Sequence, residues 1–421
     1  MRNNDILGFV RKSLLLAQGG AAAARHAALS ATLLAAFPAA TLAQGTHAAS
    51  FPVGMRQLEY IDSHEGSRHL ALTVFYPAVG SAAALQFVMP FFANLNLYKD
   101  AEPAFDGVKR PLVMFSHGRG SNGLYYAWFG EFLAARGYIV AAPNHYRANT
   151  YDTTIAYLAN KLWQRPRDIA LTISFLLDDP FWGKLIDASR IGVAGHSQGG
   201  FTALWVGGAT VDPEKYLAFQ RGWRNNPMVP EHLRNELPLD ATPALDVHDK
   251  RVKAVFAMAP GIIQAFGMDA AGLRQLTVPT YITVGADDTQ APPKDNAEFA
   301  ARHITHAELE VLAGRVDHDI FVNDCNDEGK NEFPQACIDA PGIDRHSIHT
   351  RIGEAAVTST RASTCPAGSD EIDRDLSTPS WPGSSRPSTS LWHNEIRRGC
   401  PAAQTSIGSL RKLDRVPGMT S

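Results

Sequence analysis

From about residue 51 the chain alternates short, continuous apolar runs with longer stretches whose apolar positions recur every three to four residues. The runs are "LALTVFYPA" (70–78), "PLVMFSHG" (111–118), "YIVAAPNH" (138–145), "RIGVAGHS" (190–197), "RVKAVFAMAPG" (251–261), "TYITVGADD" (280–288) and "AELEVLAG" (307–314). Each predicts a strand and the turn that ends it. Between them, "AWFGEFLAARG" (127–137), "RDIALTISFLLDD" (167–179) and residues 292–304 have helical spacing. Strands that are apolar throughout need cover on both faces. The pattern therefore predicts an α/β fold, with a mostly parallel central sheet and helices on both sides. Ligands bind such sheets past the carboxyl ends of the strands.

Three segments break this rhythm. Residues 209–250 carry Pro and charge, and are long for a loop. They predict a cap-like insertion or a surface excursion, with Tyr216, Phe219, Trp223 and Met228 as either pocket lining or packing residues. Residues 357–421 are rich in Ser, Thr, Pro and charge without a period, which predicts disorder. At the other end, Arg2, Arg11, Lys12 and Arg25 precede "AALSATLLAAFPAATLA", with small residues Thr41 and Ala43 before Gln44. This predicts an export signal over 1–43 and a protein that is periplasmic or secreted. A retained N-terminal anchor is the alternative. The apolar run is short and contains Ser, Thr and Pro, so no stable membrane span is expected.

Composition narrows the partners. The 421 residues are 45% hydrophobic and 19% charged, with a net charge of -3. No basic block is interleaved with aromatics, so no nucleic-acid partner is expected. Of the four cysteines, Cys325 and Cys337 flank a short polar loop and are the expected disulfide pair in an oxidising compartment. The cysteines and histidines show no zinc-type spacing, and neither metal nor organic cofactor is expected.

The stretch "IGVAGHSQGG" (191–200) carries the strongest chemical signal. Gly195 and Gly199 permit a tight turn from strand into helix that lifts Ser197 out as a nucleophile. A glycine-rich turn with a passive serine is the bland reading. A serine at neutral pH needs a base, an acid that orients the base, and donors for the oxyanion. In this topology the partners follow in the order serine, acid, histidine. The acid is Asp287 or Asp288, after the strand at 280–284, with Asp288 preferred because the Pro pair behind it marks a turn. The histidine is His318, in the loop after the last strand. His196 is expected to point away from the site, and His117 to pack beneath its turn. His303 and His306 stand at the wrong end of their strand, and His346 and His349 fall in a later helix. Asp317 and Asp319 flank His318. Main-chain N–H groups of Gln198 and, from "SHGRGSNG", Arg119 are the expected oxyanion donors.

"PLVMFSHGRGSN", "LAARGYIVAAPNH", "RPRDIALTISFLLDD", "IDASRIGVAGHSQGG", "VGADDTQAPP" and "CNDEGKNEFPQACIDAPGIDRHSIH" resemble exported bacterial α/β-hydrolases of the dienelactone-hydrolase-like group. "FSHGRG" with "LAARGYIVAA" is also similar to plasma-type platelet-activating-factor acetylhydrolases. The resemblance covers about 55–355 and implies an α/β-hydrolase domain over 44–356. It implies Ser197 as nucleophile, Asp288 as acid, His318 as base, and Gln198 and Arg119 at the oxyanion. Dienelactone hydrolases use cysteine where this chain has Ser197, so lactone substrates are not implied. The acetylhydrolases carry their acid after an earlier strand, where this chain reads "MAPG" without a carboxylate. Members of the group end in an apolar helix packed on the sheet. The likeness stops near Ala356, which suggests a shifted reading frame or an aberrant gene end. The expected activity is cleavage of a small-molecule, lipid or polyester carboxylic ester through an acyl-enzyme. A non-catalytic binding protein, or an amidase or thioesterase, is the alternative.

Overall fold

The computed structural model describes residues 50–62, 68–80, 85–156, 161–223, 225, 231 and 245–362. The expected export signal, Met228 and residues 363–421 lie outside them. One sheet contains ten strands: β1 (Val53–Asp62), β2 (Arg68–Pro77), β3 (Leu85–Phe87), β4 (Leu97–Lys99), β5 (Arg110–Ser116), β6 (Ile139–Pro143), β7 (Ile186–His196), β8 (Val252–Met258), β9 (Thr280–Gly285) and β10 (Ala307–Leu312). Their order is β10-β9-β8-β7-β5-β6-β2-β1-β4-β3. The six strands from β10 to β6 are parallel, as the continuous apolar runs predict. β2 joins β6 antiparallel, and β1 joins β2 antiparallel.

The helices take the faces of this sheet because their apolar residues fall on one side. In Gln164–Asp178 the residues Ile169, Thr172, Ile173 and Leu176 are buried, at the spacing of a single helical stripe. Gln198–Val206 is buried from Gly199 to Val206 and packs on β7 and β8. Nearly all its side chains are apolar, as a helix enclosed between a sheet and its neighbours requires.

The C-terminal boundary needs a correction. Disorder was expected from residue 357, but the last helix runs Arg345–Ala362, with Ile352, Ala356 and Val357 buried. It packs against the helix Ala127–Ala134. Beyond the end of the family likeness, Val357 continues the buried stripe begun by Ile352 and Ala356. No described helix is long and apolar enough to cross a membrane.

Cys325 and Cys337 form a disulfide, as their spacing suggested. The start of the loop they close is zipped to residues 91–93, with Ala93 N–H donating to the O of Asp324, just before the loop (2.8 Å), and Asn326 N–H to Phe91 O (3.1 Å). Phe91 meets Phe333 edge-on at 5.3 Å. Replacing both cysteines by serine is expected to cost about 2–3 kcal/mol, read as a lower urea midpoint with an unchanged far-UV spectrum.

Candidate active site

β7 delivers Ser197 to the carboxyl edge of the sheet in a conformation few side chains adopt, with φ 56° and ψ -120°. Neighbouring chain holds it there. Ser197 N–H donates to Met258 O (2.9 Å), and Ser197 O accepts from Gly261 N–H (3.2 Å). Such backbone strain persists only where the surroundings over-determine it. The flanking glycines are required by space. A Cβ on Gly199 would lie 1.8 Å from Ser116 O, and one on Gly195 2.3 Å from Gly199 O. Gly199→Ala must therefore push the elbow off β5. We expect a loss of about 3 kcal/mol or more, visible in a thermal or urea melt.

Ser197, Gln198, Arg119 and His318 all line one cavity of about 550 Å³ at this edge of the sheet. Five aromatic side chains, Phe92, Tyr125, Tyr126, Phe266 and Phe333, stand in its walls. Behind His318 lies Asp288. His318 Nδ1–H donates to Asp288 Oδ2 at 2.7 Å, and both side chains are almost fully buried. Asp288 Oδ1 accepts the main-chain N–H groups of Gln290 (2.9 Å) and Ala291 (2.7 Å). The carboxylate is thus fixed on both oxygens. Asp287 turns outward, its side chain 55% exposed and 3.7 Å from Arg315. Of the two acids, the structure brings Asp288 to the histidine.

His196 is placed differently from expectation. Expected to point away, it lines the cavity and packs on His318 with ring centroids 4.7 Å apart. Its Nε2–H donates to His318 O (3.0 Å), and its Nδ1 accepts from Tyr126 Oη (2.9 Å). Burial pushes the His196 imidazole well below its ordinary range, so the ring is neutral and can serve as both donor and acceptor. It clamps the backbone of the residue that meets Asp288. Its partners stand 70 and 122 positions away, which left no local signal of this role.

His117 is fully buried beneath its turn, as expected. His303 and His306 stand before β10, at the far end of that strand. Asp319 lines the cavity and accepts from Gln290 Nε2–H (3.3 Å), and burial pushes its carboxyl up. The described residues of the insertion include a helix, Pro213–Trp223. Tyr216 is fully buried against Trp205, and Phe219 meets Phe266 edge-on at 4.7 Å. Tyr216 is a packing residue, and Phe219 supports the cavity wall from behind.

A mostly parallel sheet, covered by helices and carrying a strained serine elbow at its carboxyl edge, defines an α/β-hydrolase fold. Among known proteins, a family model described as platelet-activating factor acetylhydrolase, isoform II, matches residues 92–165. The platelet-activating factor acetylhydrolase of Bos taurus is 29% identical over 141 residues, 23% of this chain and 32% of that protein. That of Canis lupus familiaris is 30% identical over 145 residues, 24% of this chain and 33% of that protein. The chain thus spans about a third of the length of these relatives. A ferulic acid esterase from Streptomyces cinnamoneus superposes with a TM-score of 0.51 at 21% identity, over 80% of this chain and 96% of that one. This last likeness is one of fold.

Proposed function

We propose that this chain is a serine hydrolase that cleaves carboxylic esters through an acyl-enzyme. The observation that carries the reading is the 2.7 Å contact between His318 Nδ1 and Asp288, with His318 and Ser197 lining the same cavity. Ser197 Oγ attacks the ester carbonyl, and His318 Nε2 takes its proton. Asp288 holds the ring in that tautomer and stabilises the imidazolium. The main-chain N–H groups of Gln198 and Arg119 receive the oxyanion, each worth about 2.7–4 kcal/mol in the transition state. His318 then protonates the leaving alcohol, and water, activated the same way, releases the acid.

The acetylhydrolase relatives support acyl-ester chemistry. The aromatic walls suit a substrate with an apolar acyl or alcohol group. An exported protein in an oxidising compartment fits the Cys325–Cys337 bridge. The test is labelling with a fluorophosphonate probe, wild type beside Ser197→Ala and His318→Ala. Labelling of the wild type is expected, and its loss in both variants. A folded wild type that does not label would end the hydrolase reading.

A further inference from the structure

Beneath the loop that carries Arg119 lies a buried polar chain with no part in the steps above. It begins at Asp168, whose carboxylate is paired with the Arg68 guanidinium. Asp168 Oδ2 also accepts from Tyr146 N–H (3.1 Å) and from His145 Nδ1–H (3.1 Å). The other ring nitrogen of His145, Nε2, then lacks a proton and accepts from Ser116 Oγ–H (2.8 Å). The His145 main-chain N–H donates to His117 Nε2 (3.1 Å). That contact decides the tautomer of His117. An amide N–H can only donate, so Nε2 is the acceptor and the ring proton sits on Nδ1. Burial pushes the His117 and His145 imidazoles well below their ordinary range, so neither ring takes a second proton. His117 Nδ1–H donates to Gly118 O at 2.7 Å.

The Gly118 carbonyl belongs to the same peptide unit as the Arg119 N–H. In a planar trans peptide the C=O and N–H point in opposite directions. Tying Gly118 O down onto His117 therefore aims the Arg119 N–H the other way. Ser121 N–H (3.3 Å) closes on the same oxygen. The preceding carbonyl, His117 O, is held by Arg165, which also reaches Thr202 Oγ1 (3.3 Å) on the elbow helix. Two successive peptides of the loop are fixed from below. A carbonyl that accepts a hydrogen bond also polarises its peptide, making the linked N–H a stronger donor.

We propose that His117 is a positioning residue for the reaction: held by His145 and Asp168, it sets the direction of the Arg119 N–H toward the oxyanion. This rests on the hydrolase reading above. It acts on the transition state, not on substrate binding.

Two substitutions separate its two ring nitrogens. His117→Asn places an amide N–H where Nδ1 stands and keeps the tie to Gly118 O. His117→Gln places a carbonyl oxygen where Nε2 stands, keeps the tie to His145, and loses the tie to Gly118. With p-nitrophenyl butyrate as probe, His117→Gln is expected to lower kcat about 100-fold with little change in KM. His117→Asn is expected to restore most of that loss. A folded His117→Gln with undiminished kcat overturns the proposal, and so does equal loss in both variants. Should His117→Gln fail to fold, the wild-type ring decides. Imidazole 15N shifts are expected to report an Nδ1–H tautomer that does not titrate between pH 5 and 8. An Nε2–H tautomer overturns the proposal. Failure of the hydrolase reading is seen separately, as a wild type that neither labels with fluorophosphonate nor cleaves the ester.

Discussion

Asp288→Asn is expected to lower kcat on p-nitrophenyl butyrate by about 10⁴-fold in a protein that still folds. The two oxygens of Asp288 have separate tasks. Oδ1 takes the N–H groups of Gln290 and Ala291, and Oδ2 takes His318 Nδ1–H. Asparagine has one oxygen, and the two main-chain donors claim it. Its NH₂ then faces His318 Nδ1. Two donors cannot face each other, so the imidazole proton moves to Nε2. The nitrogen that should accept the Ser197 proton then carries one already. Backbone geometry is preserved while the base is lost. Asp287→Asn is the control, since that side chain faces solvent near Arg315, and near-normal kcat is expected. Steady-state kinetics on the two variants decide it. A lasting kcat in Asp288→Asn with a collapse in Asp287→Asn would reverse the assignment.

The second large effect is on stability. Between pH 7.5 and 5.5 the protein is expected to lose about 5 kcal/mol of unfolding free energy. Burial pushes His117, His145 and His196 well below their ordinary range, and His349 down to about 4. His349, on the buried face of the last helix, stacks on Trp128 and donates Nε2–H to Ile320 O (2.8 Å). In the unfolded chain each of the four takes a proton near pH 6.5. The unfolded state then binds more protons than the folded one, so stability falls as pH falls. Each imidazole contributes about 1.4 kcal/mol per pH unit below 6.5. Asp168 opposes them. Burial raises its carboxyl to about 6, so between 6 and its unfolded value the folded state is the better proton acceptor. Its offset over this window is under about 1 kcal/mol, and the histidines prevail. Urea unfolding at the two pH values tests this. A flat profile would mean that these rings take up protons inside the folded protein.

The core of the fold was legible because its signals are local. Strands β5 to β9 are short apolar runs closed by turn residues, and a parallel strand buried on both faces has no other sequence; β10, at the sheet edge, buries only Leu312. β1, β3 and β4 went unseen for the converse reason. β1 alternates half-buried and exposed positions from Arg56 to Ile61, and β3 and β4 have three residues each, so none forms a continuous apolar run. The serine elbow was equally local, since Gly195, Ser197 and Gly199 must all fall within one turn. The order serine, acid, histidine then led to the Asp287–Asp288 pair and to His318, because the topology of the sheet ties that order to strand ends.

Tertiary structure decided everything that depends on which distant groups meet. Asp287 and Asp288 are neighbours in sequence, and only the turn of the backbone after β9 sends one to His318 and the other to solvent. His196 clamps His318 through a contact between residues 122 positions apart. The Arg68–Asp168 pair spans 100 positions, and no periodicity marks either residue as buried. Tyr216 packs on Trp205 and so stands behind the cavity. Apolar periodicity and turn chemistry are properties of neighbouring residues, and the sequence by itself determined the parallel part of the sheet, the elbow and the serine. Hydrogen bonds between buried polar groups are properties of the folded chain, which alone selected the carboxylate and set the tautomers of the rings around it.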